Sequence, residues 1–138
     1  MDELTPAELA AIEARVQAAT AGPWRWRGHA SGHQSTFSLR SLAKGKQTVM
    51  TFRRWGWQGA QPVFQVDGIL RPAIDFMIQP EPHNPYLVTG IDHPDAVFIE
   101  HARDDVERLC AEVRWLQHEL LAITSERDDY LEQLREVR

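Results

Sequence analysis

The chain has 138 residues, with 20 acidic and 15 basic side chains and a formal net charge of −5. This length fits one domain that buries a core without disulfides, and the negative sum excludes a cationic protein that coats DNA or a membrane surface. The charges are unevenly placed, however. Residues 14–66 contain eight basic residues and no Asp or Glu, whereas residues 92–138 contain 13 acids and six arginines. The chain therefore has a cationic segment and an acidic segment.

Cysteine usage and hydropathy restrict the class of protein further. The single Cys110 excludes an internal disulfide framework and a zinc cluster built on cysteines, and a lone thiol is typical of a reducing compartment. No apolar run approaches the roughly 20 residues that cross a bilayer, and the acidic N-terminus does not resemble a signal peptide. The six histidines show no metal-ligand spacing. We expect a soluble cytoplasmic protein without a metal site or a cofactor.

The first predicted element is a short amphipathic helix over residues 6–20. Thr5 supplies an N-cap, Pro6 occupies the first helical position, and Glu8 completes a capping box. One apolar stripe at helical spacing follows, until Gly22-Pro23 ends the helix.

The middle of the chain predicts an antiparallel sheet of about four to six strands, because it is rich in β-branched and aromatic residues punctuated by Gly, Pro and Ser. Turns at Ser31-Gly32 and at residues 43–46 join the first three strands. Three prolines exclude regular structure between residues 79 and 85. The predicted strands are Trp24–His29, Thr36–Leu42, Thr48–Trp55, Val63–Val66, Ala73–Ile78 and Tyr86–Val88.

The acidic C-terminal segment predicts a long helix, since it has no Gly or Pro after residue 94. Apolar residues alternate steps of 3 and 4 from Val106 onward, with Arg127 at one position, which is the pattern of a heptad seam. A corner at residues 102–105 is an alternative to one continuous helix. The expected seam residues are Val106, Leu109, Val113, Leu116, Leu120, Ile123, Tyr130 and Leu134.

This helix is longer than the body of a compact domain of this size, so we expect its seam to make the chain a homo-oligomer, at least a dimer. The alternative is that the helix folds back along its own sheet. The predicted fold is therefore α+β, with a helix-plus-sheet domain over residues 1–91 and a helical oligomerisation region over residues 92–138.

Two short segments inside the acid-free stretch combine aromatic residues with arginine. Residues 24–27 read Trp-Arg-Trp-Arg, and residues 52–57 read Phe-Arg-Arg-Trp-Gly-Trp. Aromatic faces stack on bases and guanidinium groups bind phosphate, so this pairing favours a small phosphorylated nucleotide as ligand. A packed sheet with solvated arginines is the alternative, since strand alternation puts the two residue types on opposite faces. The candidate ligand-binding residues are Trp24, Arg25, Trp26, Arg27, Phe52, Arg53, Arg54, Trp55, Trp57 and Arg103.

No pattern in the sequence indicates catalysis. The chain has no P-loop, no dinucleotide fingerprint and no serine elbow, and Cys110 lies inside the predicted long helix. The sheet region holds only Asp67, Asp75 and Glu81 as acids, too few to suggest a carboxylate dyad. We therefore expect a protein that is not an enzyme.

Two stretches of the chain carry a family resemblance. RVQAATAGPW at residues 15–24 and DAVFIEHARDDV at residues 95–106, followed by Leu109, Glu112-Val113 and Leu116, resemble small accessory proteins of actinobacterial phages and prophages of the ead-like type. The resemblance leaves the sheet between them unmatched, and Glu107 stands where such proteins often carry proline. The family has no agreed activity, so no catalytic residues are carried over.

The resemblance implies a phage gene product that counteracts host defence. A cationic aromatic sheet on an oligomerising helix is similar in purpose to phage sponge proteins, which sequester nucleotide second messengers of the cyclic oligonucleotide or cyclic ADP-ribose type. Our leading hypothesis is such a non-enzymatic binding protein in the host cytoplasm. The alternatives are an inhibitor or adaptor that binds a host protein through the helix, and a single-stranded nucleic-acid binder.

Overall fold

A computed structural model describes residues 3–33, 35–45 and 47–137. Its secondary structure is α+β, as predicted, with a short N-terminal helix, an antiparallel sheet and a long C-terminal helix. The elements in chain order are α1 (Pro6–Ala18), β1 (Trp24–Ala30), β2 (Ser35–Ser41), β3 (Thr48–Arg53), β4 (Gln61–Val66), β5 (Ile69–Pro72), a 3-10 turn (Ala73–Phe76), β6 (Met77–Ile78), β7 (Gly90–Ile91) and α2 (Pro94–Glu136).

The chain forms two compact units. One, here named the sheet unit, contains residues 11–101 and holds both sheets. The other, here named the helical unit, combines residues 3–10 with residues 102–137. The boundary between them lies inside α2, after His101.

The main sheet is a five-stranded antiparallel meander in the order β1-β2-β3-β4-β5, which lies within the predicted range of strand number. Its register pairs Trp26 with Leu39 and Arg25 with Arg40 between β1 and β2. A bulge after Leu39 shifts the pairing of β2 with β3. β6 and β7 form a second, two-stranded sheet.

Three strand predictions are corrected. β3 ends at Arg53 rather than Trp55, and the predicted strand Ala73–Ile78 is a 3-10 turn followed by the two-residue β6. Tyr86–Val88 is not a strand, because turns in the proline-rich segment hold the backbone there, and β7 begins at Gly90. β5 was not predicted, although its Asp67-Gly68 turn is visible in the sequence. Both turn residues have positive φ, 51° and 80°, which is typical of a two-residue hairpin.

The helix α1 begins as its capping box predicts. The Thr5 backbone N–H donates to the Glu8 carboxylate at 2.7 Å, and the Glu8 N–H donates to the Thr5 hydroxyl at 3.1 Å. The helix ends at Ala18, two residues before the predicted end.

The helix α2 is continuous from Pro94 to Glu136, so the alternative with a corner at residues 102–105 is wrong. Its first turn is held by the ring of His93, whose Nδ1 accepts the Asp95 backbone N–H at 3.1 Å. The other ring nitrogen, Nε2, lies 2.7 Å from the Gln65 carbonyl oxygen. His93 thereby joins the start of α2 to β4.

The core of the sheet unit lies around β3 and β4. Val49, Val63 and Phe64 are almost completely buried. The Phe64 ring stacks on His93 with centroids 5.0 Å apart, and the Trp24 ring meets Phe98 edge-on at 5.1 Å. Aromatic contacts therefore connect the sheet to the first residues of α2.

In the helical unit, the N-terminal segment is attached to α2 by polar contacts. The Leu4 backbone N–H donates to the Glu112 carboxylate at 2.9 Å. The Arg108 guanidinium donates to the Glu3 carbonyl oxygen at 3.1 Å and pairs with Glu8 at the same distance. Leu4, which lies between these contacts in the chain, is buried.

Candidate binding site

The register of the main sheet separates its cationic and aromatic side chains. Cross-strand partners point to the same side of a sheet, and neighbours along a strand point to opposite sides. One side, here named the arginine face, carries Arg25, Arg27, Arg40 and Arg53. The other, here named the aromatic face, carries Trp24, Trp26, Phe37 and Phe52.

The arginine face places like charges directly against each other. Arg25 on β1 is the direct cross-strand partner of Arg40 on β2. Directly opposed like charges destabilise a sheet, because their Cβ atoms are only about 5 Å apart. Arg27 follows two residues along β1, and no carboxylate of the described residues pairs with Arg25 or Arg27. The Arg25 guanidinium donates to the Trp24 carbonyl oxygen at 2.7 Å. The arginine face therefore groups four arginines from three strands.

Hydroxyl groups accompany the arginines. Arg27 is paired with Ser38, and Ser38 is paired with Thr51 on the next strand. A groove of about 440 Å³ runs beside β2 and β3, and Arg53, Ser38 and Thr51 are among its lining residues. The Thr51 hydroxyl donates to the Phe37 carbonyl oxygen at 3.0 Å. The Ser38 hydroxyl is therefore the donor that accompanies the guanidinium groups, and this pair of donor types commonly binds phosphate oxygens.

The aromatic face is partly packed and partly exposed. Trp24 is half-buried against Phe98, and its indole N–H donates to the Thr20 carbonyl oxygen at 2.9 Å, so its contacts are those of a packing residue. Trp26, farther along β1, is 59% exposed. The Phe37 ring covers Gly28, since a Cβ at residue 28 would lie 2.6 Å from the Phe37 ring.

The aromatic face also contains an apolar groove of about 330 Å³ where it meets the first turns of α2. Met50, Phe64 and Ile99 line it, and Glu100 is its charged lining residue. A carboxylate in this position repels a phosphate, so the groove does not suit the anion that the arginine face fits.

The loop between β3 and β4 brings arginine and tryptophan together without strand alternation. The Arg54 guanidinium Nε donates to the carbonyl oxygens of Gly56 and Gln58, at 3.2 and 3.1 Å, and so holds the loop closed. Trp57 is 98% exposed, and Trp55 is also exposed. We name residues 54–60 the tryptophan loop. A fully exposed tryptophan offers both ring faces for stacking.

The antiparallel pairing of β2 with β3 places this loop at one end of the sheet, next to the start of β2. β3 ends at Arg53 where β2 begins at Ser35, because Thr51 pairs with Ser38. Arg53 thus belongs to the arginine face and directly precedes the tryptophan loop. Arg53 and the exposed indole rings therefore lie at the same end of the sheet, whereas Arg40 pairs with Thr48 at the other end of β3.

The remaining predicted residues are placed as follows. Trp26 and Phe52 lie on the opposite side of the sheet from Arg25 and Arg27, so the structure does not bring these four together around one ligand. Arg103 lies in the helical unit, where its guanidinium pairs with Glu107 at 2.7 Å on the exposed surface of α2.

Sequence reasoning did not select Arg40 as a site residue. Arg40 has no neighbouring tryptophan, so the Trp-Arg pattern does not mark it. The turn between β1 and β2 carried the missing signal, because the length of a hairpin turn determines which residues are opposite.

The heptad seam of α2 is largely uncovered within the described residues. Seven of its residues are between 47% and 64% exposed, whereas Leu109 is half-buried. The seven are Val106, Val113, Leu116, Leu120, Ile123, Tyr130 and Leu134.

No family model, curated protein or solved structure matches the chain. Within residues 3–33, 35–45 and 47–137, no group of three or more His, Cys, Asp and Glu side chains is arranged to hold a metal ion. In the same part of the chain, no helix has the length and apolar character that a membrane span requires.

Proposed function

We propose that this chain is a non-enzymatic binding protein that captures a small phosphorylated nucleotide. The observation that carries the proposal is the cross-strand pairing of Arg25 with Arg40, on a sheet face formed by a segment of the chain without Asp or Glu. A phosphate between two arginines accepts charge-assisted hydrogen bonds from both and screens their repulsion. An anionic ligand thus gains more from this face than from isolated arginines.

The phosphate is one part of the proposed ligand. The second part is an aromatic base at the end of the sheet where Arg53 and the tryptophan loop lie. The fully exposed Trp57 supports this assignment, because a stacked base covers an apolar surface that otherwise faces water. Arg53 lies between the two parts, since it is the last residue of β3, belongs to the arginine face and directly precedes the tryptophan loop. A nucleotide with more than one phosphate and more than one ring extends over both parts, which favours the cyclic oligonucleotide and cyclic ADP-ribose classes.

The biological setting that we propose follows from the resemblance to phage accessory proteins. A protein that binds an immune second messenger tightly lowers its free concentration without any chemical step, and so counteracts host defence. The exposed seam of α2 supports a homo-oligomeric form of this protein, because it offers an apolar surface to a second copy. The host cytoplasm as its location is part of the proposal that follows from the resemblance.

Calorimetric titration tests the ligand class. Cyclic dinucleotides, cyclic trinucleotides and cyclic ADP-ribose isomers are titrated into the chain and into an Arg25→Gln/Arg40→Gln variant. We expect one class to bind tighter than about 10 μM, and the variant to bind at least about tenfold more weakly.

The matched control is Arg114→Gln, which removes an exposed arginine of α2. It should leave the affinity unchanged. Trp57→Ala should weaken binding by the contribution of one stacked base, about 1–3 kcal/mol. The proposal is wrong if no ligand reaches the micromolar range, or if the Arg114→Gln control weakens binding as much as the double variant does.

A second candidate function is supported by the exposed seam of α2. An inhibitor or adaptor that binds a helix of a host protein would use this surface, and the sheet would then serve only the fold. Leu116→Asp on the seam separates the two functions. If the chain is an adaptor, this substitution abolishes binding to the host protein. If the chain is a nucleotide-binding protein, the substitution leaves its nucleotide affinity unchanged.

A single-stranded nucleic-acid binder remains a third candidate, since the arginine face could follow a phosphate backbone. In that case affinity increases with oligonucleotide length and falls steeply with salt. A cyclic nucleotide ligand shows no such dependence on length.

A further inference from the structure

We infer that the seam of α2 pairs with the same seam of a second copy as a parallel, in-register two-stranded coiled coil. This inference rests on the homo-oligomer of the proposed function and adds its strand number and direction. The docking surface is the exposed part of the seam from Val113 to Leu134.

The apolar side chains of the seam are not buried by any of the described residues. Its apolar side chains from Val113 to Leu134 are about half exposed or more. The N-terminal segment contacts α2 at Arg108 and Glu112, which lie outside the a and d positions of the heptad. A repeat of apolar a and d residues is the pattern that a second helix covers by knobs-into-holes packing.

The charges beside the seam determine the direction of the partner. With Val113 and Leu120 at position a, the g positions are all acidic over four heptads, and the matching e positions are uncharged. The g residues are Asp105, Glu112, Glu119 and Glu126, and the e residues are Cys110, Gln117, Thr124 and Leu131.

In a parallel dimer, each g residue faces an e residue of the other helix, so every glutamate meets an uncharged side chain. In an antiparallel dimer, g faces g. The alignment that stacks Val113 on the partner's Tyr130 would then set Glu119 against the partner's Glu126, twice by symmetry. Like charges at these flanking positions oppose pairing, so the acidic g row favours the parallel arrangement.

Arg127 gives an independent argument for the same direction. It occupies an a position, and in a parallel dimer it shares one layer with the partner's Arg127 and lies beside the partner's Glu126. In the antiparallel alignment each Arg127 is set against the partner's Leu116. Two layers of the coiled coil then contain an arginine, instead of one. A single polar a residue specifies register and oligomer state in this way, at some cost in stability.

The same layer restricts the number of strands. Two arginines can each reach a flanking glutamate from the edge of a two-stranded coil, whereas three or four would converge at the centre of a larger bundle. Val113 at a with Leu116 at d favours two strands, whereas Leu120 at a with Ile123 at d favours a larger bundle, so the strand number rests on the Arg127 layer.

Disulfide trapping combined with sedimentation tests the inference. In a Cys110→Ser background, Tyr130→Cys places a thiol at a d position near the distal end of the seam. Glutathione disulfide oxidises two such thiols to a protein disulfide only if they approach closely, and it is itself reduced to glutathione. Leu116→Cys tests a second d position, in case Tyr130→Cys prevents pairing. Ser125→Cys, on the opposite side of the helix, is the matched control.

We expect the parent chain to sediment as a dimer, and both d-position variants to form at least about tenfold more covalent dimer than Ser125→Cys. In the antiparallel alignment the two residues at position 130 would be about 25 Å apart along the axis, and no disulfide would form. A monomer, a trimer, or a dimer that neither d-position thiol can cross-link overturns the inference. No nucleotide is present, so a chain that cross-links as expected but binds no nucleotide contradicts only the ligand proposal.

Discussion

The bond between Asp95 and Thr20 offers the sharpest test of the packing in the sheet unit. Asp95 lies in the first turn of α2 and is 1% exposed. Its Oδ1 accepts the Thr20 backbone N–H at 2.6 Å, and its Oδ2 accepts the Thr20 hydroxyl at 2.8 Å. One carboxylate thus holds the segment after α1 against the start of α2.

Asp95→Ala removes both acceptors and leaves the two Thr20 donors without a partner. Hydrogen bonds to a charged group contribute about 1.5–3 kcal/mol each, and a negative charge at a helix N-terminus adds about 0.3–1 kcal/mol. We therefore expect the variant to lower the free energy of unfolding by about 4 kcal/mol. Asp95→Asn keeps one acceptor and should cost about 1–2 kcal/mol.

Urea unfolding, followed by circular dichroism and tryptophan fluorescence, measures both losses. Asp92→Ala is the matched control, because Asp92 is exposed and lies three residues earlier. It should change stability by less than about 0.5 kcal/mol. If Asp95→Ala unfolds within about 1 kcal/mol of the parent chain, the two hydrogen bonds do not hold the start of α2 and the reasoning is refuted.

Two further predictions concern Gly28 and Glu8. Gly28→Ala should destabilise the sheet by about 1–3 kcal/mol in urea unfolding, because the new Cβ would approach the Phe37 ring and the Thr36 carbonyl oxygen; an unchanged midpoint would contradict the close packing of β1 on β2. Hydrogen bonds from Thr5, and then the Arg108 guanidinium, hold the pKa of Glu8 below its ordinary value of 4.5. Since the folded pKa is lowered, the stabilisation is present above pH 4.5 and is lost as the pH falls through the lowered value. Glu8→Gln should therefore be less stable than the parent chain at neutral pH and equal to it in strong acid, whereas a difference independent of pH would contradict this assignment.

Much of the fold could be predicted because its signals are local. The capping box of α1 lies within four residues, and the absence of Gly and Pro after residue 94 permits a single long helix. The missed β5 shows the limit of the same reasoning. With four residues, β5 is too short for an alternating apolar and polar pattern to be recognised. The Asp67-Gly68 turn is the signal that indicates this strand.

The candidate site could be predicted only in part. The acid-free composition and the Trp-Arg clusters are properties of the chain, and they indicate an anionic aromatic ligand without any structure. Which side chains meet was decided by the register. The register pairs Arg25 with Arg40 and places Trp26 on the opposite face. It also places Arg53 and the exposed tryptophan loop at the same end of the sheet.

The sequence by itself therefore determined the α+β class, the separation of charge and the heptad pattern of α2, because each depends on residues that are near one another along the chain. Only the tertiary structure decided which arginines share a surface, which tryptophan is packed and which is exposed. Those properties depend on strand pairing and burial, and both are settled by contacts between residues far apart in sequence.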